Sequence, residues 1–440
     1  MPASPSPESR VPSPGFSAID HALMARALRL AERGLYTTQP NPRVGCVIAR
    51  GQKIVGEGWH QRAGEPHAEV FALRAARERA RGATAYVTLE PCAHYGRTPP
   101  CADALVEAGI ARVVAACEDP NPKTAGSGLR RLREAGIEVQ SGLMRETARE
   151  LNRGFLSRME RGRPWVRVKL AMSLDGRTAL SNGESKWITG EAARADVQRW
   201  RARSSAILTA SGTVRADDPR LTARLPAFEP LPHWERGRGE GSGELERFNI
   251  SEPSPASPLA FREAYRSHRF DQEMQEVRHP LPEGEGKSFI PPWRVVLDPR
   301  LDALQPNAHL LDNSAPTLLL HAPGAQPSDG RYAQTELAAI ELDTNGKIDL
   351  HAVMRLLAQK QVNELQVEAG PRLCGALFEA GLVDELLLYV APVLLGDSAR
   401  PLLSLPPLEN MMQRRALRVI DQRRVGGDMR MLLRPAQEIA

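Results

Sequence analysis

The sequence predicts an α/β protein, and three observations predict it. Helix-period and strand-period segments alternate through residues 18–160, the alternation restarts near Pro164, and no run of about 18 apolar residues interrupts either set. With 440 residues, 42% of them hydrophobic and 25% charged, the chain can bury roughly two or three separate cores.

The elements follow in order. Residues 1–17 are rich in Pro and Ser with few large apolar side chains, so they are expected to form a disordered tail. Leu23, Ala27, Leu30 and Ala31 recur at helical spacing, with Gly34 as the expected C-cap. VGCVIA (44–49) and KIVGEGW (53–59) flank Arg50-Gly51-Gln52 as a hairpin; HAEVFALRAARERA reads as a helix and ATAYVTLE as a strand. CADALVEAG forms a short helix after Pro99-Pro100, followed by strand ARVVAAC, helix GLRRLREAG and strand IEVQSG. That pattern gives one sheet with helices on both faces across residues 18–160.

The second set, residues 164–437, begins with strand WVRVKLA, a turn at Asp175-Gly176, helix EAARADVQRWRA and strand SAILTAS. Residues 226–291 then lose periodicity and fill with Pro, Gly, Ser and Glu, so they read as an insertion with one helical piece around FREAYRSHRF. Order resumes with WRVVLDP, TLLLH, helix DLHAVMRLLAQK, strand ELQVEAG, helix PRLCGALFEAG and strand DELLLYVAPVLLG. The stretch DELLLYVAP is expected at a sheet edge, where it would allow a homo-oligomer.

Composition narrows the function classes. The net charge of +5 and sequence pI near 9.1 would suit nucleic acid, but the arginines are spread along the chain and often sit beside acids, as in ARADVQRWRAR. They read as solvated faces, and no nucleic-acid partner is expected. The N-terminus lacks the apolar stretch of a signal peptide and no membrane partner is expected, which points to a cytoplasmic protein. Five cysteines, Cys46, Cys92, Cys101, Cys117 and Cys374, are an odd number scattered over a long chain, which argues against a disulfide scaffold.

LEPCAHYGRTPPC (89–101) nevertheless places two cysteines in one short, stiff loop. Upstream, PHAEV sets His67 and Glu69 at the start of a predicted helix, where the first turn lets both reach one small site. His67, Cys92 and Cys101 offer an imidazole and two thiolates, a set that suits Zn2+ and leaves a fourth tetrahedral position for water. Glu69, outside the ligand set, would move protons, the arrangement of zinc nucleobase deaminases. A structural site with His94 as fourth ligand stays open at this point, while a redox pair would favour C-x-x-C spacing. In the second set, VEAGPRLCGAL reads as strand, glycine and helix start with Pro371 near N1, able to receive a phosphate on free N–H groups or to serve as a plain connection. It lacks G-x-G-x-x-G, so a Rossmann domain is not supported.

NPRVGCVIA, GEGWHQRAGEPHAEVFAL, TLEPCAHYGRTPPCADAL and EDPNPKTAGSGLRRLREAGIEV resemble the deaminase half of the bifunctional riboflavin-biosynthesis deaminase/reductases. KLAMSLDGRTAL, SKWITG, ILTASGTVRADDPRLTAR and VEAGPRLCGALFEAGLVDELLLYVAPVLLG resemble the reductase half. The resemblance runs from residue 19 to 437 apart from the insertion. It implies a cytidine-deaminase-like three-layer α/β/α domain followed by a dihydrofolate-reductase-like α/β domain that binds NADPH. It further implies that His67, Cys92 and Cys101 hold zinc, that Glu69 shuttles protons, and that Asn41, His60, His94 and Arg97 line the first substrate site. Met172, Trp187, Thr213, Asp217 and the stretch Gly370, Pro371, Arg372, Leu373, Cys374, Gly375, Ala376 would contact the nucleotide. Ser185, Arg201, Leu221, Arg224 and Glu368 would meet the second substrate, with Lys169 and Asp175 bordering the same cleft. Arg97, Ser127 and Met172 depart from the residues common in the family. The implied reactions are hydrolytic deamination of 2,5-diamino-6-(5-phosphoribosylamino)pyrimidin-4(3H)-one and NADPH-dependent reduction of its ribosyl group. Two other readings are a nucleic-acid base deaminase with a C-terminal binding domain and a non-enzymatic module with structural zinc.

Overall fold

The computed structural model describes residues 15–94, 99–122, 124–225, 289–327 and 329–436. The chain enters through α1 (Ala18–Glu32), whose N-terminus is closed by a reciprocal capping box between Ser17 and Asp20. Ser17 therefore belongs to the fold rather than to the tail, and Phe16 packs against the core. Arg33, not Gly34, is the C-cap.

Strands β1 (Gly45–Arg50) and β2 (Lys53–Trp59) form the expected hairpin. Helix α2 (Ala68–Ala76) follows and is shorter than its sequence period suggested, because Arg77–Ala80 tighten into a 3-10 turn. Then come β3 (Thr84–Val87), α3 (Cys101–Glu107), β4 (Arg112–Ala115), α4 (Ser127–Glu134) and β5 (Glu138–Ser141). The sheet order is β2-β1-β3-β4-β5, with β1 antiparallel to both neighbours and β3, β4 and β5 parallel. Two further helices, α5 (Arg145–Leu151) and α6 (Arg153–Arg161), were not foreseen.

Alternation along β1 divides two cores. Cys46 and Ile48 face the layer containing α2, α3 and α4, whereas Val47 and Ala49 face α1, α5 and α6. This is the three-layer arrangement that the alternation predicted. Gly56 and Gly58 on β2 bring α2 close: a Cβ there would fall 2.2 Å from the Ala72 carbonyl oxygen and 2.4 Å from that of Ala68.

The second half opens with β6 (Trp165–Ser173), β7 (Arg177–Ala179), α7 (Glu191–Arg203), β8 (Ala206–Ala210) and α8 (Ser211–Asp217). It continues with β9 (Trp293–Leu297), β10 (Thr317–His321), β11 (Glu336–Ala339), α9 (Leu350–Gln359), β12 (Glu364–Val367) and α10 (Pro371–Glu379). It ends with β13 (Glu385–Ala391), β14 (Arg400–Pro401), β15 (Leu417–Val425) and β16 (Asp428–Pro435). Nine strands form one sheet, β11-β10-β9-β8-β12-β6-β13-β16-β15, parallel through β13 and antiparallel over the last two. Val168, Leu208, Val295, Leu318, Leu365 and Leu388 form one core with α9 and α10. Ile207, Val296 and Leu319 pack on the opposite face.

Three further expectations change. DELLLYVAP is the interior strand β13, paired with β6 and β16; the outer strand on that side is β15, which leaves Val419 and Ile420 exposed. Of the expected insertion, Phe289–Pro291 belong to the described fold, where Ile290 N donates to the Tyr36 carbonyl at 3.0 Å. The helical piece at FREAYRSHRF lies outside the described residues. Finally, ARADVQRWRAR is no solvated face: Asp196 is buried and bound by Tyr389 and Arg430, and Arg203 lies against Glu364.

Candidate active sites

His67 is the N-cap residue of α2, Cys101 opens α3, and Cys92 sits in the loop between β3 and α3. His67 Nδ1 stands 3.2 Å from Cys101 Sγ and 3.6 Å from Cys92 Sγ. The ligand atoms of all three lie within 4.8 Å of one another, and this is the metal-competent cluster found among the described residues. The Cys101 backbone N–H donates to Cys92 Sγ at 3.4 Å, as the free first-turn donor of a helix can. The hydrogen bond from Cys101 outweighs burial and, with that from His67, lowers the Cys92 thiol while the same bond raises Cys101, so the pair favours one thiolate, at Cys92.

Glu69, in the first turn of α2, is 3% exposed, and its Oε2 has no hydrogen-bond partner. Burial pushes its carboxyl up to about 7. An unpartnered carboxylate oxygen beside an imidazole and two thiols fits a hydrated metal ion, since burial without a partner is otherwise costly.

His60 stands edge-on to His67 with ring centroids 5.5 Å apart. Its Nδ1 donates to the Pro66 carbonyl at 3.1 Å, which leaves Nε2 to accept from the Asn41 amide at 3.1 Å. His94 does not join the metal cluster; it is exposed, 3.4 Å from Thr124 Oγ1. Arg97 lies outside the described residues. Ser127 opens α4, and its hydroxyl donates to the Thr124 carbonyl.

Sequence reasoning missed Glu90. Its buried carboxylate accepts from the N–H groups of Asp119 (3.2 Å), Gly126 (2.9 Å), Gly128 (2.8 Å) and Leu129 (3.2 Å), tying the start of α4 to the loop that carries Cys92. Its place two residues before Cys92 was the available signal; its partners are 29–39 positions away.

In the second half Arg201, on α7, forms a bidentate pair with Glu368 just beyond β12, at 2.7 and 2.6 Å. Lys169 on β6 lies close to this pair: burial depresses its ammonium, while Glu368 favours the charge. Gly370 caps α10 with Pro371 at its first position, and a Cβ on Gly370 would meet nothing within 4 Å. That open N-terminus fits a phosphate-bearing cofactor. Cys374 and Gly375 instead face inward, Cys374 donating to the Ala369 carbonyl at 3.4 Å, so they can offer only backbone to a ligand. Thr213 lies in the first turn of α8 and Asp217 is exposed at its end. Met172 and Leu221 are half-buried and buried, and the Arg224 side chain is exposed. Ser185 and Trp187 lie on the loop before α7, where Arg194 stacks on an otherwise exposed Trp187. Asp175 spends its carboxylate on Ser173 and on the N–H groups of Leu395 and Gly396.

Comparison with known proteins covers both halves. Residues 17–117 match the cytidine and deoxycytidylate deaminase zinc-binding region, and residues 164–429 match the RibD C-terminal domain. The riboflavin biosynthesis protein RibD of Escherichia coli (strain K12) is 46% identical over 93% of this chain and 98% of its own. A solved structure of Acinetobacter baumannii RibD shares 40% identity and a TM-score of 0.75 over 95% of this chain and 99% of that one. A diaminohydroxyphosphoribosylaminopyrimidine deaminase/5-amino-6-(5-phosphoribosylamino)uracil reductase from Thermotoga maritima, 27% identical, covers 95% of this chain and 99% of its own with a TM-score of 0.72.

Proposed function

The chain belongs to the RibD family of riboflavin-biosynthesis enzymes, and from that membership we propose how its deaminase and reductase activities divide between the two sheets. Residues 18–160 carry out zinc-dependent deamination and residues 164–437 carry out NADPH-dependent reduction. The convergence of His67, Cys92 and Cys101 beside a buried, unpartnered Glu69 oxygen carries the first assignment.

The substrate is 2,5-diamino-6-(5-phosphoribosylamino)pyrimidin-4(3H)-one. His67, Cys92 and Cys101 would hold zinc, which when bound supplies a Lewis acid for water at the position three ligands leave open. Glu69 takes a proton from the attacking water and passes it to the ring nitrogen, then carries the remaining hydroxyl proton to the departing amine as the carbonyl forms. A C–O bond forms, the exocyclic C–N bond breaks, and ammonia leaves. Asn41 and His60 orient the ring, and His94 and Arg97 are read as further substrate contacts.

For the second reaction NADPH, when bound, would supply a hydride to C1′; the C1′–O4′ ring bond breaks and the ring oxygen takes a proton from solvent, which turns the ribosyl group into ribityl. Gly370 to Ala376, at the start of α10, would hold the nucleotide, together with Met172, Trp187, Thr213 and Asp217. Arg201 and Glu368, already paired, present a guanidinium and a carboxylate to the phosphoribosyl chain, with Ser185, Leu221 and Arg224 beside them. The exposed apolar side chains on β15 support a homo-oligomer through that edge. Family membership over nearly the full chain removes the support for a nucleic-acid base deaminase. Among the described residues no helix is long and apolar enough to cross a membrane.

Purified protein loaded with zinc and given substrate without NADPH should release ammonia and accumulate the ribosyl product. Adding NADPH should then convert that product to the ribityl compound. Failure of both conversions with zinc bound would overturn the assignment.

A further inference from the structure

We propose that the second sheet positions the deaminase substrate loop, residues 39–43, and that Asn363 and Arg43 are positioning residues for the first reaction. The inference rests on the deaminase reading of the His67 site.

The loop reaches that site through Asn41, whose amide bonds His60, the ring edge-on to His67. On both sides of Asn41 the chain is fastened to groups of the second half. Gln39 Nε2 donates to the Arg203 carbonyl at 2.5 Å, and Gln39 Oε1 accepts from Ser205. The Pro40 carbonyl accepts from Asn363 Nδ2 at 2.9 Å and from Arg158 at 3.3 Å, while Asn363 Oδ1 in turn fixes Arg158 at 2.7 Å. Arg43, 4% exposed, reaches Glu364 at 3.0 Å.

The anchor side is rigid. Glu364 begins β12 in the middle of the nine-stranded sheet and also binds Arg167 at 2.8 Å and Arg203 at 3.1 Å. The loop has its own ties to the first half, since Asn152 brackets the Arg43 backbone at 2.8 and 2.9 Å. Those ties fix Arg43; Pro40 has a longer first-half contact, from Arg158 at 3.3 Å, but that guanidinium is itself held by Asn363 at 2.7 Å. Asn41 therefore takes its place from two bodies at once, and its aim depends on the second one.

A substrate-orienting group displaced by a fraction of an ångström chiefly loses binding and alignment. Asn363→Ala removes the donor to Pro40 and loosens Arg158, yet leaves the backbone bonds of residue 363 intact. Arg43→Ala also gives up the bond to the Leu151 carbonyl, but leaves Glu364 hydrogen-bonded to Arg167 and Arg203 with Arg153 at 4.0 Å, so the sheet keeps its buried carboxylate neutralised. For both variants KM for deamination should rise about tenfold with kcat within about twofold, at unchanged zinc content. Reduction of separately supplied ribosyl intermediate should be unaltered, and Arg43→Lys should recover part of the loss. Unchanged deamination KM in both alanine variants would overturn the proposal. So would a parallel loss of both activities that tracks the folded fraction. If the wild-type protein releases no ammonia, the deaminase reading itself fails; if it does and the variants match it, only this inference falls.

Discussion

Glu90 Oε1 accepts the Gly128 N–H at 2.8 Å, and a Cβ on Gly128 would fall 1.8 Å from the Pro91 carbonyl oxygen. The start of α4 is thus clamped onto the residue before Cys92. Gly128→Ala must push backbone against backbone, which side-chain rearrangement cannot relieve. It should cost roughly 1–3 kcal/mol and loosen the zinc set. Glu90→Gln should act similarly, because an amide nitrogen would replace an acceptor facing two N–H donors. Denaturant titration and retention of zinc under a competing chelator measure the two effects; unchanged values for Gly128→Ala would show that the contact relaxes freely.

One Glu69 oxygen has no partner and the carboxylate otherwise meets the Cys101 thiol, so the isosteric Glu69→Gln tests chemistry at small structural cost. Glu69→Gln should keep bound zinc while ammonia release drops by about 10²- to 10⁴-fold. Reduction of supplied ribosyl intermediate should continue. Zinc content by atomic absorption, run beside both assays, separates a proton-transfer role from a ligand role.

Chelation should divide the molecule along the same line. The His67, Cys92 and Cys101 cluster lies wholly in the first half and the Arg201–Glu368 pair wholly in the second. Removing zinc should abolish ammonia release and leave NADPH oxidation on supplied intermediate near its starting rate. Loss of both would mean that the metal also holds the second site.

The zinc set was legible because it is local: each ligand sits at a helix start or in a loop stiffened by proline, and residue type plus order point to one chemistry. Strand and helix order was legible for the same reason, since VGCVIA and KIVGEGW are short apolar runs on either side of the turn residues Arg50-Gly51-Gln52. What escaped was nonlocal. Nothing near Arg43 says that Glu364, 321 positions away, will receive it, and the ARADVQRWRAR segment has the composition of a surface helix. Strand β13 read as an edge because an apolar strand looks alike in the middle of a sheet and at its rim. Helices α5 and α6 were missed since their polar and charged residues hide a narrow apolar face whose Phe155 and Leu156 find a core only after folding.

The seam between the halves makes stability fall in acid. Glu385, fully buried, accepts from Arg153 at 2.9 Å and Arg167 at 2.7 Å; although burial opposes its charge, these arginines hold it down to about 2 from an ordinary 4.5. A depressed folded value means that the stabilisation is present above about pH 4.5 and is lost as pH falls toward 2, amounting to about 3 kcal/mol. Glu364 moves in the same direction under Arg203, Arg43, Arg167 and Arg153. Unfolding free energies measured between pH 7 and 3 should decline steeply, and Glu385→Gln should lower the pH 7 value by about 3–5 kcal/mol while flattening that decline. A variant with the wild-type slope would place the acid sensitivity elsewhere.

The bidentate geometry of Arg201 gives the second half its sharpest test. Two parallel bonds to Glu368 at 2.7 and 2.6 Å fix the guanidinium plane, and a third, to the Thr222 carbonyl at 3.1 Å, fixes its reach. A lysine keeps the charge but offers a point donor that cannot make both bonds in one plane. Arg201→Lys should therefore raise KM for the ribosyl intermediate about tenfold, with a smaller change in kcat and none in ammonia release. Glu368→Gln, which retains one acceptor, should fall between wild type and Arg201→Lys. If Arg201→Lys lowered kcat alone, the pair would be acting on the hydride-transfer step rather than on the phosphoribosyl chain, and the substrate-binding assignment of α7 would have to be redrawn.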